Sequence, residues 1–268
     1  MKYIAVFAIL FWSTLSCVAY AAEHDVTARA SCAIKGLTAE EAQTLAVRRA
    51  RSAAVEQAAG VTVTSAAMVT DGRLAGDFIK TFSQGYIVRE CVTWETPDFI
   101  KQPPPEAPIV VYKVLLEATV LVPDQARPSV GLDAGLNHST FRAGKDKLTI
   151  RVSTAGQARV AVFNITADDR VVMLYPEAGR GALRTGNGNR IILPEPRGGG
   201  SLLLSTLQGH KRDTEAIMVA ALPDGEKLNW ADSFVEGQAM SLAAFFRRYA
   251  AFAPHCEDVI MPYEVFKE

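Results

Sequence analysis

The chain has 268 residues, enough for two modest domains or one large one. Its 49% apolar content and formal net charge of −1 describe an ordinary globular protein and argue against a disordered one. The same balance lacks the strongly basic character of a nucleic-acid binder, so no such partner is expected.

The first segment reads as an export signal. Lys2 precedes an apolar run from Ile4 to Trp12, and the stretch closes on the small-x-small end Ala19-Tyr20-Ala21. Residues 1–21 are therefore expected to be a signal peptide cut after Ala21. Two alternatives would tie the chain to a membrane: an uncleaved signal, or a lipid on Cys17, where Thr14 stands in place of the customary aliphatic residue.

From His24 to Ile34, Val26, Ala28, Ala30, Cys32 and Ile34 alternate with polar residues, as in a half-buried strand. Gly36 ends it. Thr38 and Glu41 then form a capping-box pattern, and Ala42, Leu45, Ala46, Ala53 and Ala54 follow at helical spacing up to Gly60. A second helix is predicted over Leu74–Phe82. Tyr86–Glu95 and Ile109–Val122 read as strands, separated by four prolines between Lys101 and Pro108. In the second of them Val110, Tyr112, Val114, Leu116, Ala118 and Val120 share a face.

Pro123–His138, with two prolines, two glycines and little periodicity, reads as a linker. Short apolar runs then recur at 148–152, 160–165, 171–175, 191–193, 202–204 and 217–222, with turn-forming residues between them. A helix is predicted over Gly237–Phe252 with Leu242, Phe245, Phe246, Tyr249 and Ala250 on its buried stripe, followed by a strand over Val259–Phe266. The expected fold class is α+β. A small α/β sandwich over 22–122, an antiparallel sheet with helices, is followed by the linker 123–138. An antiparallel β-sandwich with one C-terminal helix then occupies 139–268.

Residues 24–122 resemble the N-terminal domain of the FlgT flagellar assembly family and its lipoprotein relatives. The likeness rests on Ala46–Gly60, Val69–Gly72, Leu74–Ile79, Gly85-Tyr86-Ile87 and Tyr112-Lys113-Val114. Residues 139–224 resemble the domain-of-unknown-function 4384 family. The carriers there are Phe141–Asp146, Ala161–Ile165, Val171–Pro176, Asn189–Pro194 and Glu215–Leu222. Asp168-Asp169 stands where that family carries an aspartate–glycine turn. The first resemblance implies a periplasmic or outer-membrane-associated protein that self-associates or binds a partner, in some bacteria in a ring around the flagellar motor. The chain carries the second family in place of FlgT's usual C-terminal part. The second resemblance implies an accessory module with no established activity.

Catalytic patterns are not met. Gly200-Ser201-Leu202 lacks the trailing glycine of a nucleophile elbow, and Gly144-Lys145 is followed by Asp146 instead of the hydroxyl of a phosphate loop. Gly186-Asn187-Gly188-Asn189 reads as hairpin turn chemistry. His24, His138, His210 and His255 are scattered, and adjacent residues in His255-Cys256-Glu257-Asp258 would point to opposite faces. No enzymatic activity, catalytic residue, metal or cofactor is expected. Arg247-Arg248 reads as an ordinary solvent-facing pair, with an anionic-lipid contact as the alternative.

Export leaves Cys32, Cys91 and Cys256, an odd number in an oxidising compartment. Glu90 interrupts the apolar face Tyr86, Val88, Val92, Trp94 and marks a bulge or an edge, the alternative being a buried functional carboxylate. A bulge there would turn Cys91 to the core side, where a bridge to Cys32 would contribute roughly 4 kcal/mol. Cys256 is the leftover or alternative partner. The functional expectation is an exported envelope protein that binds or assembles, flagellar or secretion-associated being one branch. The alternatives are a small-ligand or glycan sensor using loops such as Gly179–Asn189 and, further off, a hydrolytic enzyme.

Overall fold

The computed structural model describes residues 22–60, 85–122, 128–195 and 200–268. The signal segment, the helix expected over Leu74–Phe82 and the first residues of the expected linker lie outside them.

The first half consists of β1 (Ala22–Ala33), α1 (Ala39–Ala59), β2 (Tyr86–Ile100) and β3 (Ile109–Val122). The strands form an antiparallel sheet with β3 between β1 and β2. Ala42, Ala46, Ala50 and Ala54 lay α1 close against Val26, Ala28, Val114, Leu116 and Val120, because small side chains let helix and sheet approach. The capping box forms: Thr38 Oγ1 accepts from the Glu41 N–H at 3.1 Å, and the Glu41 carboxylate accepts from the Thr38 N–H at 2.6 Å. Gly60 ends the helix at φ +66°, a conformation glycine adopts without steric cost.

The second half contains β4 (Asp133–Leu136), β5 (Thr140–Arg142), β6 (Lys147–Leu148), β7 (Ile150–Ser153), β8 (Ala158–Ile165) and β9 (Arg170–Tyr175). It continues with β10 (Leu183–Thr185), β11 (Arg190–Leu193), β12 (Leu202–Leu203) and β13 (Arg212–Pro223). Last come α2 (Trp230–Ser233), β14 (Ala239–Ser241), α3 (Leu242–Tyr249) and β15 (Glu257–Phe266). The large sheet runs β14-β9-β8-β13-β15-β5, with β10 also paired to β8, and a smaller sheet runs β11-β7-β4. β8 and β13 are buried on both faces, which accounts for their unbroken apolar runs. Ile217, Val219 and Ala221 pack toward Ile150, Val152 and Leu193 of the small sheet. The other face carries Phe163, Trp230, Phe234, Phe245 and Phe252. The molecule is thus α+β, built mainly from antiparallel strands.

Three local differences from the sequence expectations have physical causes. The helix expected from Gly237 begins only at Leu242, because Ala239–Ser241 pair with β9 and Ser241 then caps the helix. Leu242, Phe245, Phe246 and Tyr249 of its expected stripe are buried, whereas Ala250 is the C-cap and only partly buried. Part of the expected linker, Asp133–Leu136, is strand β4, paired to β7 and preceded by a segment that Glu257 holds. The Glu257 carboxylate accepts from the N–H groups of Val130 (2.8 Å) and Leu132 (3.2 Å) and from the Ser129 hydroxyl. Gly186–Asn189 is a tight turn with Asn187 and Gly188 at positive φ, yet it joins β10 and β11, which belong to different sheets, so it is not a hairpin.

The halves share a core. Tyr86, Val88 and Leu121 from the first sheet belong to the same buried cluster as Phe246, Tyr249 and Trp230. The Tyr86 ring stacks on Phe246 at 5.2 Å and meets Tyr249 edge-on at 5.4 Å.

Candidate functional site

The seam between the halves is where the described residues concentrate charge and cavities. Its geometry starts with β2. A bulge at Val88 breaks the register between Ile87 and Arg89. Ile87 faces α1, whereas Tyr86 and Val88 face α3. After the bulge Glu90, Val92 and Trp94 stand opposite Ala118, Leu116 and Val114, on the α1 side. The bulge therefore carries Glu90 toward the helix, and β2 is an edge strand in its sheet as well.

On the helix, Arg48 and Arg51 are three residues apart and share one face. Arg51 forms a two-pronged contact with Glu90, Nε to Oε2 at 2.8 Å and a terminal nitrogen to Oε1 at 2.7 Å. Its other terminal nitrogen donates to Asp169 Oδ2 at 2.6 Å. Arg48 Nε donates to Asp169 Oδ1 at 2.8 Å, and a terminal nitrogen donates to the Ala167 carbonyl at 2.6 Å. Two guanidiniums and two carboxylates thus close a network across the seam, with the Arg51 and Asp169 side chains only 10% and 11% exposed. Burial alone would lower the Arg51 pKa, but Glu90 and Asp169 outweigh it and raise the value, so the charge is secure.

Asp169 sits in the turn joining β8 to β9 with φ +58°. That backbone favours glycine, with aspartate among the better-tolerated alternatives. The carboxylate of Asp169 is occupied by both arginines, which explains why a side chain stands at this turn in place of glycine.

Two grooves flank the Asp168-Asp169 turn. One, of about 520 Å3, is lined by Glu40, Gln43, Thr44, Val47, Trp94, Asp168, Arg170 and Ser241 among others. The other, of about 560 Å3, lies between the start of α1 and the Leu207–Thr214 segment. There His210 Nδ1 lies 2.6 Å from Asp213 Oδ1, and the other oxygen of Asp213 accepts from the Leu207 N–H at 2.5 Å. The pair ties down the loop that leads into β13.

A second polar group lies inside the large sheet. Glu215 on β13 is buried and meets Tyr263 Oη at 2.6 Å and Asn164 Nδ2 at 3.1 Å. Burial pushes its carboxyl upward, with the Tyr263 and Asn164 hydrogen bonds pulling the other way. A third group joins the halves: Tyr249 and Tyr86 hydroxyls donate to Asp258 Oδ2 at 2.7 and 3.1 Å, and Tyr249 Oη is 3.1 Å from Cys256 Sγ. Burial drives the Tyr249 phenol well above its ordinary value, followed by the influence of Cys256 and Asp258.

The residues singled out in the sequence are thereby dispersed. His255, Cys256, Glu257 and Asp258 turn to Glu226, Tyr249, the Val130–Leu132 backbone and the tyrosine pair respectively. Arg248 reaches the Ser233 carbonyl. No cluster of three or more metal-ligand side chains occurs among the described residues, and no helix among them is long and apolar enough to cross a membrane.

No disulfide joins the described cysteines. The bulge lies at Val88, upstream of the expected position, and leaves Cys91 exposed while Cys32 is buried under α1. The two also flank β3 on opposite sides, opposite Glu117 and Tyr112. Strand spacing puts them about 10 Å apart across the sheet and about 17 Å along it, far beyond the Cα separation of about 7 Å that a bridge tolerates.

No family model matches this chain. No curated protein matches it either.

Sequence reasoning missed the arginine–carboxylate network. Its one visible trace was the pair of oddities Glu90 and Asp169, each a carboxylate where local pattern wants something else.

Proposed function

We propose that the protein is exported to the periplasm or the outer-membrane region and acts by binding or assembling other proteins, without catalysis. The single observation carrying this reading is the distal half of β2. Phe99 and Ile100 are 65% and 50% exposed on a strand whose outer edge has no neighbour in its sheet among the described residues. Such apolar exposure near the end of a strand paired to β3 suits contact with another protein. The bulge between Glu95 and Asp98 and the adjacent Pro97 blunt the edge against indiscriminate strand pairing. The signal-like residues 1–21, with a lipid at Cys17 as the alternative, supply the export part. The resemblances to the FlgT N-terminal and domain-of-unknown-function 4384 families agree with it and make flagellar or secretion placement the first branch to examine. The second half fits a β-sandwich reading, its two sheets meeting across one core.

Cell fractionation combined with a photo-crosslinking residue at Phe99 tests the proposal, with Lys227 on the second half as the control site. Adducts with envelope proteins from Phe99 and none from Lys227 are expected. A cytosolic polypeptide still carrying Lys2, or equal adducts from both sites, would sink it.

A further inference from the structure

We infer that the groove beside the Asp168-Asp169 turn is a saccharide-binding site, with Trp94 as the platform for one face of a pyranose ring. This goes beyond the protein-binding reading and does not depend on it.

The groove measures about 520 Å3, inside the roughly 300–1,000 Å3 of small-molecule sites. Part of the lining is the indole of Trp94, 44% exposed and in contact with Tyr112, whose ring meets it edge-on at 6.2 Å and 73°. An aromatic side chain packed in this way presents an apolar face at little further entropic cost. The groove is also lined by Glu40, Gln43, Asp168, Arg170 and Ser241. Among the described residues no protein group engages the side chains of Glu40, Gln43 or Arg170. Asp168 uses one oxygen to accept from the Thr166 hydroxyl at 2.5 Å. Ser241 Oγ accepts from the Ala244 N–H at 3.3 Å, which leaves its own proton to donate. The arginine–carboxylate network beneath keeps this turn in place.

The chemistry of the lining selects among ligands. Uncommitted charges of both signs, Glu40 and Asp168 against Arg170, disfavour a strongly cationic or anionic guest. An added peptide strand has little room, since α3 covers the start of β2 and the Pro97 bulge interrupts it beyond Glu95. A wholly apolar guest would strip water from five polar side chains without replacing their hydrogen bonds. A neutral ring with one apolar face and a rim of hydroxyls satisfies both parts of the lining.

The test uses the full chain and the difference in fluorescence between wild type and Trp94→Phe, which isolates Trp94 from Trp12 and Trp230. Tri-N-acetylglucosamine and maltotriose are the saccharide probes, and the blocked tripeptide Gly-Arg-Gly is the contrasting cation. A saturable change with either trisaccharide, at least fivefold weaker in Asp168→Asn, is expected; saturation-transfer NMR should show the same sugar no longer contacting Trp94→Ala. Trp230, 2% exposed, reports in each variant that the core is intact. Response to the peptide alone, or no response to either sugar at millimolar concentration, overturns the inference while leaving the Phe99 crosslinking result untouched.

Discussion

Asp169→Asn preserves the backbone of the β8–β9 turn, because asparagine tolerates positive φ, and removes one charge from the seam. Arg51 would then keep the carboxylate of Glu90, while Arg48 would lose that of Asp169. With side chains about one-tenth exposed, solvent screens little of this loss. Breaking a buried pair costs about 3–5 kcal/mol, or a Tm drop on the order of 10 °C for a chain of this size. Asp169→Gly sharpens the test. If the turn geometry were all that mattered, glycine would stabilise by about 1–2 kcal/mol through relief of the left-handed backbone. The network predicts a net loss of about 2–3 kcal/mol instead. Urea unfolding of both variants, with a double-variant cycle through Arg51→Gln, measures the coupling. An Asp169→Gly protein as stable as wild type would refute the reasoning.

Four further outcomes follow from the geometry. Phe246→Ala should cost about 3–5 kcal/mol, and because Tyr86 stacks on that ring, probes in both halves should report one shared transition at a lower urea midpoint. Burial makes Glu215 bind its proton more tightly in the folded chain, so wild type should lose stability relative to Glu215→Gln as pH rises above the ordinary glutamate range; a difference moving the other way contradicts the burial. Thr38→Ala should cost about 1 kcal/mol by removing the cap of α1, read from the urea midpoint. Iodoacetamide should label Cys91 in the native protein and reach Cys32 and Cys256 only after unfolding; a linked Cys32–Cys91 peptide would contradict the strand register.

Local structure was legible where one segment determines it. Thr38, Glu41 and Gly60 mark both ends of α1, and the alternation in β3 places Val114, Leu116, Ala118 and Val120 under the helix. Periodicity cannot place a skipped residue: alternation alone leaves Cys91 off the core face, where it stands, and only a bulge expected at Glu90 instead of Val88 turned it inward. It is equally blind to partners far along the chain. Ala239–Ser241 looks helical until β9 is alongside, and Asp133–Leu136 looks like a linker until β7 is. The seam suffered most, since Arg48, Arg51, Glu90 and Asp169 come from three separate elements, none of which hints at the others. Trp94 read as core because alternation put it on the apolar face of β2, although α1 leaves it partly uncovered.

The sharing of Tyr86, Val88 and Leu121 with α3 constrains how the molecule can be made. Synthesis delivers β2 and β3 long before residues 242–249, so the early sheet must wait with an oily face uncovered until its lid arrives. Cutting the polypeptide near residue 128 would leave each fragment with that wound open, and a holdase that shields hydrophobic chains is the helper such an intermediate would need.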